Sequence, residues 1–447
     1  MENDSITILH YTLGFNSDRG GGLTKYSTDL AEYQSKDNDV YLLYPGEIKL
    51  LSRMVRIKKN HKRNNITNYS IVNPLPIPFL YGIADSKYMS KKTNGRMWRG
   101  FLEDLKPDVI HIHTLIGLYK EFIDEAKSLE IPIVYSTHDY FGICPRQTLV
   151  YDDSICKEWK NCKNCRECNK YAITGWKQLA LHSKTFLRLR NFKFIKKMRS
   201  NFKGTRELDK STGNTPSVDF FALQQHFFEI FKEFDFFHFN SSITKNVFEK
   251  VMGHELNGDI IAVSHLGIKD NRKKKKFANG KLQLLYLGPP QQHKGYNFLL
   301  KLLDSIECKN FVLNTYTGIN KTNEYVVDHG AGYNYSELGR ILEMVDLLVV
   351  PSQWYETFGF IVIEALSYGV PVMATPNVGA ADVIKQINEH FVLENDKWKP
   401  TIEKIIASRE ILERYNEDIL SMKFETFSQH ASRIMDVYRK VINEREI

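Results

Sequence analysis

The sequence predicts an α/β protein built from two doubly wound domains, and three observations carry that expectation. At 447 residues the chain exceeds what one hydrophobic core usually supports. Short apolar runs alternate with amphipathic stretches once in each half, the βαβ rhythm of a parallel sheet. Between the halves, Lys269-Asp270-Asn271-Arg272 and the lysine run up to Gly280 form a polar, apolar-poor stretch suited to a linker.

In the first half the expected strands are Ile6 to His10, Asp39 to Tyr44, Val109 to His113 and Ile133 to Ser136. A helix from Leu23 to Ser35 follows Gly20-Gly21-Gly22, with apolar residues at 23, 26, 30 and 33 on one face. In the second half Leu282 to Leu287, Phe311 to Thr315, Leu347 to Val350 and Val370 to Ala374 read as strands, with helices near 295–306, 336–345 and 359–368. The expected division is 1–268 for the first domain, 269–280 for the hinge and 281–425 for the second domain. A final segment, 426–447, carries a helical apolar face at 427, 431, 434, 435 and 438 that docks back on the first domain. Residues 140–215 break the rhythm and read as an insertion, and the phenylalanine-rich stretch from Phe220 to Phe239 reads as core.

With 42% hydrophobic and 26% charged residues the composition is that of a soluble globular protein, and no apolar run approaches the roughly 20 residues of a membrane span. The opening Met1-Glu2-Asn3-Asp4-Ser5 is acidic where a secretory signal is basic, so a cytoplasmic location is expected. The net charge of +8 is modest but uneven: from Tyr171 through Arg206 there is no acidic residue. That segment interleaves cations with Trp176, Phe186, Phe192 and other apolar residues. The pattern suits either an anionic membrane surface or an internally packed helix pair.

The sharpest local signal runs from Val350-Pro351-Ser352-Gln353-Trp354-Tyr355-Glu356-Thr357-Phe358-Gly359-Phe360 through Glu364 to Gly369-Val370-Pro371. A buried strand ends at Pro351, a turn forms at Phe358-Gly359, and a helix begins whose free amides attract an anion. Glu356 precedes the helix and Glu364 lies inside it, so both carboxylates can face one cleft and accept hydrogen bonds from vicinal hydroxyls.

This string resembles the E-x7-E signature of family 4 glycosyltransferases, retaining enzymes of the GT-B fold. The resemblance implies that Glu356 meets the donor sugar, that the amides of Phe358, Gly359 and Phe360 meet its phosphate and sugar, and that Glu364 holds the ribose. Gly288-Pro289-Pro290-Gln291-Gln292-His293-Lys294 resembles the family's first loop of the second domain, in which an arginine follows the glycine and a lysine comes five residues later. Lys294 is kept, whereas Pro289 replaces the arginine. The loss of one cationic donor removes about 3 kcal/mol of transition-state stabilisation unless Arg19 or Lys25 compensates. Gly21 and Gly22 resemble the glycine loop that faces the donor across the cleft.

His111-Ile112-His113 and Thr137-His138-Asp139 sit at the carboxyl ends of expected strands, the edge where open α/β sheets bind ligands. By the resemblance His138 joins Lys294 and Glu356 as a catalytic candidate, with Asp139 and His113 on the acceptor side. Asp139 is a candidate to orient His138 or the acceptor, or simply a turn carboxylate. Cys156, Cys162, Cys165 and Cys168 have thiolate spacing, with Cys144 upstream, so structural zinc stands beside unligated reduced thiols.

The expected function is transfer of a sugar from a nucleoside-diphosphate-sugar to a saccharide acceptor, lipid-linked, in surface polysaccharide or glycan synthesis. No cofactor is expected to be required for catalysis, no nucleic acid is expected as partner, and the location includes the inner membrane face. Rival readings are a catalytically weak partner subunit, to which Pro289 points, and a nucleotide-sugar epimerase of the same architecture. A dehydrogenase is disfavoured because no G-x-G-x-x-G opens the first helix. A zinc-bearing nucleic-acid binder leaves 350–372 unexplained.

Overall fold

The structure, a computed structural model, describes residues 5–446 apart from 19, 50, 79–81, 84, 86–88, 153, 157–163, 173–217, 278–279 and 320–322. Arg19, Cys162 and the basic segment from position 173 onward lie outside the described residues.

The first sheet is built from β1 (Thr7–Tyr11), β2 (Asp39–Pro45), β3 (Arg56–Lys59), β4 (Thr67–Val72), β5 (Val109–Ile112), β6 (Ile133–Ser136), β9 (Phe236–Phe239) and β10 (Gly258–Ile260). Their spatial order is β10-β9-β6-β5-β1-β2-β4-β3, parallel throughout except where β3 runs against β4. The strand β5 is buried along its whole length, as a strand covered on both faces must be. Helices α1 (Gly22–Gln34), α2 (Gly95–Leu105) and α3 (Lys120–Ser128) supply the crossovers. A hairpin of β7 (Val150–Tyr151) with β8 (Ser154–Ile155) and the single turn α4 (Cys165–Cys168) form the described part of the insertion. Helix α5 (Phe220–Phe231) then leads into β9 as core, and α6 (Ser242–Met252) follows under a Ser241–Thr244 capping box.

The second sheet comprises β11 (Leu282–Tyr286), β12 (Phe311–Thr315), β13 (Val326–Asp328), β14 (Leu347–Val350) and β15 (Val372–Ala374), all parallel in the order β13-β12-β11-β14-β15. It is flanked by α7 (Tyr296–Asp304), α8 (Leu338–Glu343), α9 (Phe360–Leu366), α10 (Ala381–Asn388), α11 (Asn395–Ala407) and α12 (Glu410–Ser421). The stretch joining the two sheets lies against the second one: Arg272 bonds the carbonyls of Ile419 and Met422, and Phe277 is buried.

The last helix, α13 (Phe427–Glu446), returns to the first sheet. His430 meets the Tyr26 hydroxyl at 2.9 Å, Tyr438 meets His111 at 2.6 Å and Arg445 pairs with Asp235 at 2.6 Å. The buried face of α1 differs from the expected one. Leu23 and Tyr33 are only partly buried, while the polar Ser27, Thr28 and Gln34 are buried: Ser27 and Thr28 bond Thr12 and the Asn16 amide in the loop after β1, and Gln34 lies against Met435 of α13.

Candidate functional site

In an open parallel sheet the ligand crevice forms where strand order reverses. In the second sheet β11 has β12 on one side and β14 on the other, so the loops after β11 and β14 flank the crevice. They carry Lys294 and Glu356. Lys294 Nζ stands 2.9 Å from Glu356 Oε1, and both side chains are about one-fifth exposed. The ammonium also lies 4.7 Å from the centre of the Trp354 ring, an aromatic face that attracts a cation.

Two glycines permit this geometry. Gly295 has φ +79°, and a Cβ there would lie 1.7 Å from the Pro351 carbonyl oxygen, so the lysine loop presses on the end of β14 only because that residue has no side chain. Gly359 has φ +98° and turns the chain into α9. The loop between β14 and α9 is tied to residues 377–380: Glu356 N–H donates to Asn377 O, Gly379 N–H to Glu356 O, and Ala380 N–H to Phe358 O.

Glu364 is buried and held by a residue that the sequence did not single out. His265 Nε2 lies 2.9 Å from Glu364 Oε1, and Gly267 N–H donates to His265 Nδ1 at 3.1 Å. With Nδ1 accepting, Nε2 carries the proton and donates to the carboxylate. The nearby Glu364 charge and burial both push the Tyr335 phenol up, burial first. The only hint in the sequence was the His-x-Gly at 265–267, just before the linker.

Among the described residues the first domain meets this site through further contacts. A Cβ on Gly22 would touch the Phe360 ring at 3.1 Å, so the glycine loop abuts the start of α9. Lys25, paired with Asp29 at 3.3 Å, lies 5.4 Å from the centre of the Tyr335 ring. Thr357 Oγ1 donates to His138 O at 3.1 Å and its carbonyl accepts from Ser241 Oγ at 2.9 Å, while Ser242 donates from N and Oγ to Asp382 at 2.7 and 2.6 Å. Pro289 is exposed, and its carbonyl accepts from Tyr286 at 2.8 Å.

The other candidates are placed less openly. His113 is fully buried, with one nitrogen 3.0 Å from His10 and the other 3.3 Å from His138; it does not reach the cleft surface. Asp139 turns away from His138: it accepts from Thr114 Oγ1 and Phe141 N–H, both at 2.8 Å, as a turn carboxylate does, and burial raises it to about 6. Of the cysteines, Cys168 Sγ lies 3.4 Å from Arg146 Nη1, and burial raises the thiols of Cys144 and Cys168. Among the described residues the one group whose metal-ligand atoms all lie within 4.8 Å of one another is His10, His111 and His113.

Residues 267–419 match the family model described as glycosyl transferases group 1. An uncharacterized 41.2 kDa protein in the cps region of Klebsiella pneumoniae is 32% identical over 112 residues, 23% of this chain and 30% of that protein. Spore coat protein SA of Bacillus subtilis (strain 168) is 25% identical over 188 residues, 36% of this chain and 50% of its own length. A 42.6 kDa cps-region protein of Klebsiella pneumoniae is 20% identical over 301 residues, 67% of this chain and 65% of that protein. The chain thus spans less than two thirds of the length of each of these relatives. In three dimensions it resembles sucrose-phosphate synthase from Thermosynechococcus elongatus, with TM-score 0.57 at 13% identity over 98% of this chain and 100% of that one. It also resembles Anabaena HepE in complex with UDP and glucose, with TM-score 0.54 at 12% identity over 97% and 99%. At those identities the likeness speaks for fold. The chain therefore carries a glycosyl transferases group 1 domain at 267–419 within a two-domain GT-B fold.

Proposed function

We propose that this chain transfers a sugar from a nucleoside-diphosphate-sugar to a saccharide acceptor, with retention at the anomeric carbon. The observation that carries the reading is the 2.9 Å pair of Lys294 and Glu356 at the strand-order reversal of the second sheet, beside the Phe358–Phe360 turn. A bound donor separates the pair: Lys294 moves onto the diphosphate and Glu356 onto sugar hydroxyls, while Glu364, held by His265, takes the ribose. Lys25, 5.4 Å from the centre of the Tyr335 ring, takes the part left open at Pro289. The leaving diphosphate accepts the acceptor's proton on the same face, and closing the cleft limits hydrolysis.

The cps-region relatives support a role in surface polysaccharide synthesis, and we take the acceptor to be lipid-linked, met at a membrane surface. Among the described residues no helix is long and apolar enough to cross a membrane. Catalysis needs no metal at the donor site in this reading. Structural zinc in the cysteine segment is a separate part of it, supported by the thiolate spacing of Cys156, Cys162, Cys165 and Cys168, of which Cys162 lies outside the described residues. Metal analysis of the purified protein should return one equivalent of zinc, and a metal-free folded protein removes that part.

A thermal-shift series with nucleoside diphosphates and their sugars, followed by turnover with the best donor, tests the main reading. A raised midpoint and donor turnover are expected. Pro289 favours one rival, a partner subunit with little activity of its own, and the absence of any midpoint shift would select it.

A further inference from the structure

Among the described residues the two most exposed large apolar side chains, Leu51 at 104% and Met54 at 64%, stand in one loop between β2 and β3. That loop is pinned from below. Asn73, buried and at φ +58°, accepts from Lys49 N–H at 2.7 Å and donates from Nδ2 to the carbonyls of Ser52 at 2.8 Å and Met54 at 2.7 Å. Its main chain is held as well: the N–H donates to Glu47 O at 2.9 Å and the carbonyl accepts from the Tyr119 hydroxyl at 2.7 Å. Both ends of a buried amide are thus spent on a fixed loop that leaves two apolar side chains in water.

The charge around the loop is one-sided. Between Glu47 and Asp85 the sequence has no acidic residue and seven cations, the first Lys49 and the last Arg63. Arg63 pairs with Asp18 at 2.8 Å, and the salt bridges among the described residues take up none of the other six. Strand β3 ends the sheet, with Arg56 opposite Val72 and Lys58 opposite Ser70, so Arg56 and Lys58 share one face. Charges on an edge strand guard it against pairing with another chain, which accounts for Lys58 and Lys59. It does not account for Leu51 and Met54, since a guard is polar. Apolar tips rimmed by uncommitted cations fit an anionic lipid surface, where the tips enter the headgroup boundary and the cations meet phosphates. Single-stranded nucleic acid needs aromatic faces for its bases, and the loop 51–55 has none.

We propose that the loop 51–55 and β3 form a docking surface for an anionic lipid bilayer, with Leu51 and Met54 inserted and Lys49, Arg53 and Arg56 on lipid phosphates. The surface lies on the edge of the sheet that faces the cleft, because β2 runs parallel to β1 and its loop leaves the same carboxyl edge as the glycine loop. An open cavity of about 210 Å³ adjoins it, walled by Asp18, Tyr44, Glu47, Lys58 and Ser70. Docking brings this cavity to the bilayer, so that the head of a lipid-linked acceptor enters the first domain without leaving the membrane. That purpose rests on the acceptor reading above; the docking itself does not.

The test is sedimentation of the full chain with vesicles of phosphatidylcholine alone or of equal parts phosphatidylcholine and phosphatidylglycerol. Binding is expected to the anionic vesicles only, and to weaken with added salt. Arg53→Gln with Arg56→Gln should lower the partition coefficient roughly thirtyfold, and Leu51→Ser with Met54→Ser about tenfold or more. All four side chains are exposed, so both double variants should melt like the parent. A photoreactive benzoylphenylalanine substituted for Leu51 should crosslink to lipid, whereas the same group substituted for Met344, an exposed apolar residue of the second domain, should not. The crosslink separates this surface from any other part of the chain that meets lipid. Equal binding to both kinds of vesicle, parent-like partition in either double variant, or crosslinking at 51 no greater than at 344 overturns the proposal. So does self-association or RNA binding that the variants abolish in a chain that ignores vesicles. Partition is measured without donor or acceptor, so failed turnover leaves the docking intact and failed docking leaves the donor site intact.

Discussion

The hydroxyl of Thr357, one residue beyond Glu356, donates across the cleft to the main-chain oxygen of His138 at 3.1 Å. The bond spans 219 positions and ties the donor loop to the edge of the first sheet. Thr357→Val keeps the shape and removes the donor. Because one neutral hydrogen bond contributes about 1 kcal/mol, kcat/KM should fall roughly fivefold with the melting temperature nearly unchanged. Steady-state kinetics beside a melting curve checks this, and unaltered kinetics would show that the bond plays no part in closure.

Lys294→Met removes the cation opposite Glu356. The pair is partly solvated, so stability should change by about 1 kcal/mol or less. Loss of a charged donor at the leaving group should lower kcat by about a hundredfold or more. Lys25→Met should cause a loss of similar kind if it stands in for the arginine that Pro289 replaces. Single-turnover rates for both variants decide the matter, and parent-like rates in Lys294→Met remove the assigned role.

His265→Ala leaves Glu364 without its buried donor. A cost of about 1–3 kcal/mol in stability is expected, together with weaker binding of a nucleoside diphosphate. Inorganic pyrophosphate, which has no ribose, should bind as before. Calorimetric titration with both ligands makes the comparison, and equal losses for the two contradict a ribose-side role.

Stability should depend on pH through the buried imidazoles. His10 and His238 are held at about 4 and His430 at about 3, with burial the first cause in each. Their unfolded value is about 6.5, so between these values the unfolded chain binds more protons than the native one. Stability is therefore full above about pH 6.5 and is lost as pH falls toward about 4. Each histidine contributes a slope of about 1.4 kcal/mol per pH unit in that window. Urea midpoints measured across it should decline steeply, and a flat profile refutes the assignment of neutral rings.

Gly295→Ala puts a methyl group against the Pro351 carbonyl at a positive φ. A loss of about 3 kcal/mol or more is expected, since backbone must move at the base of the lysine loop. Chemical denaturation tests it.

Much of the architecture could be read locally. Apolar runs with buried-strand character marked β5, β6, β12 and β14 nearly to the residue, and the string from Val350 to Gly369 located Glu356 and Glu364. A strand begun at Val370 starts instead at Val372, beyond Pro371, which has no amide proton to give the ladder. What stayed hidden depends on distance along the chain. His265 reaches Glu364 across 99 positions and Ser242 reaches Asp382 across 140, and no periodicity or spacing encodes such meetings. For Asp139 the sequence left open an orienting role and a turn carboxylate, and the bonds from Thr114 Oγ1 and the Phe141 amide are those of a turn carboxylate.

The return of α13 to the first sheet bears on how the chain is made. As it leaves the ribosome, the first sheet is complete in sequence by Ile260, yet His111 still lacks its Tyr438 partner and Tyr26 its His430. Those partners emerge only after the whole second domain. A nonsense mutation that removed only α13 would therefore strip buried hydrogen-bond partners from β5 and α1, some 300 to 400 positions upstream, and quality control would meet a chain whose earliest half is the part left unfinished.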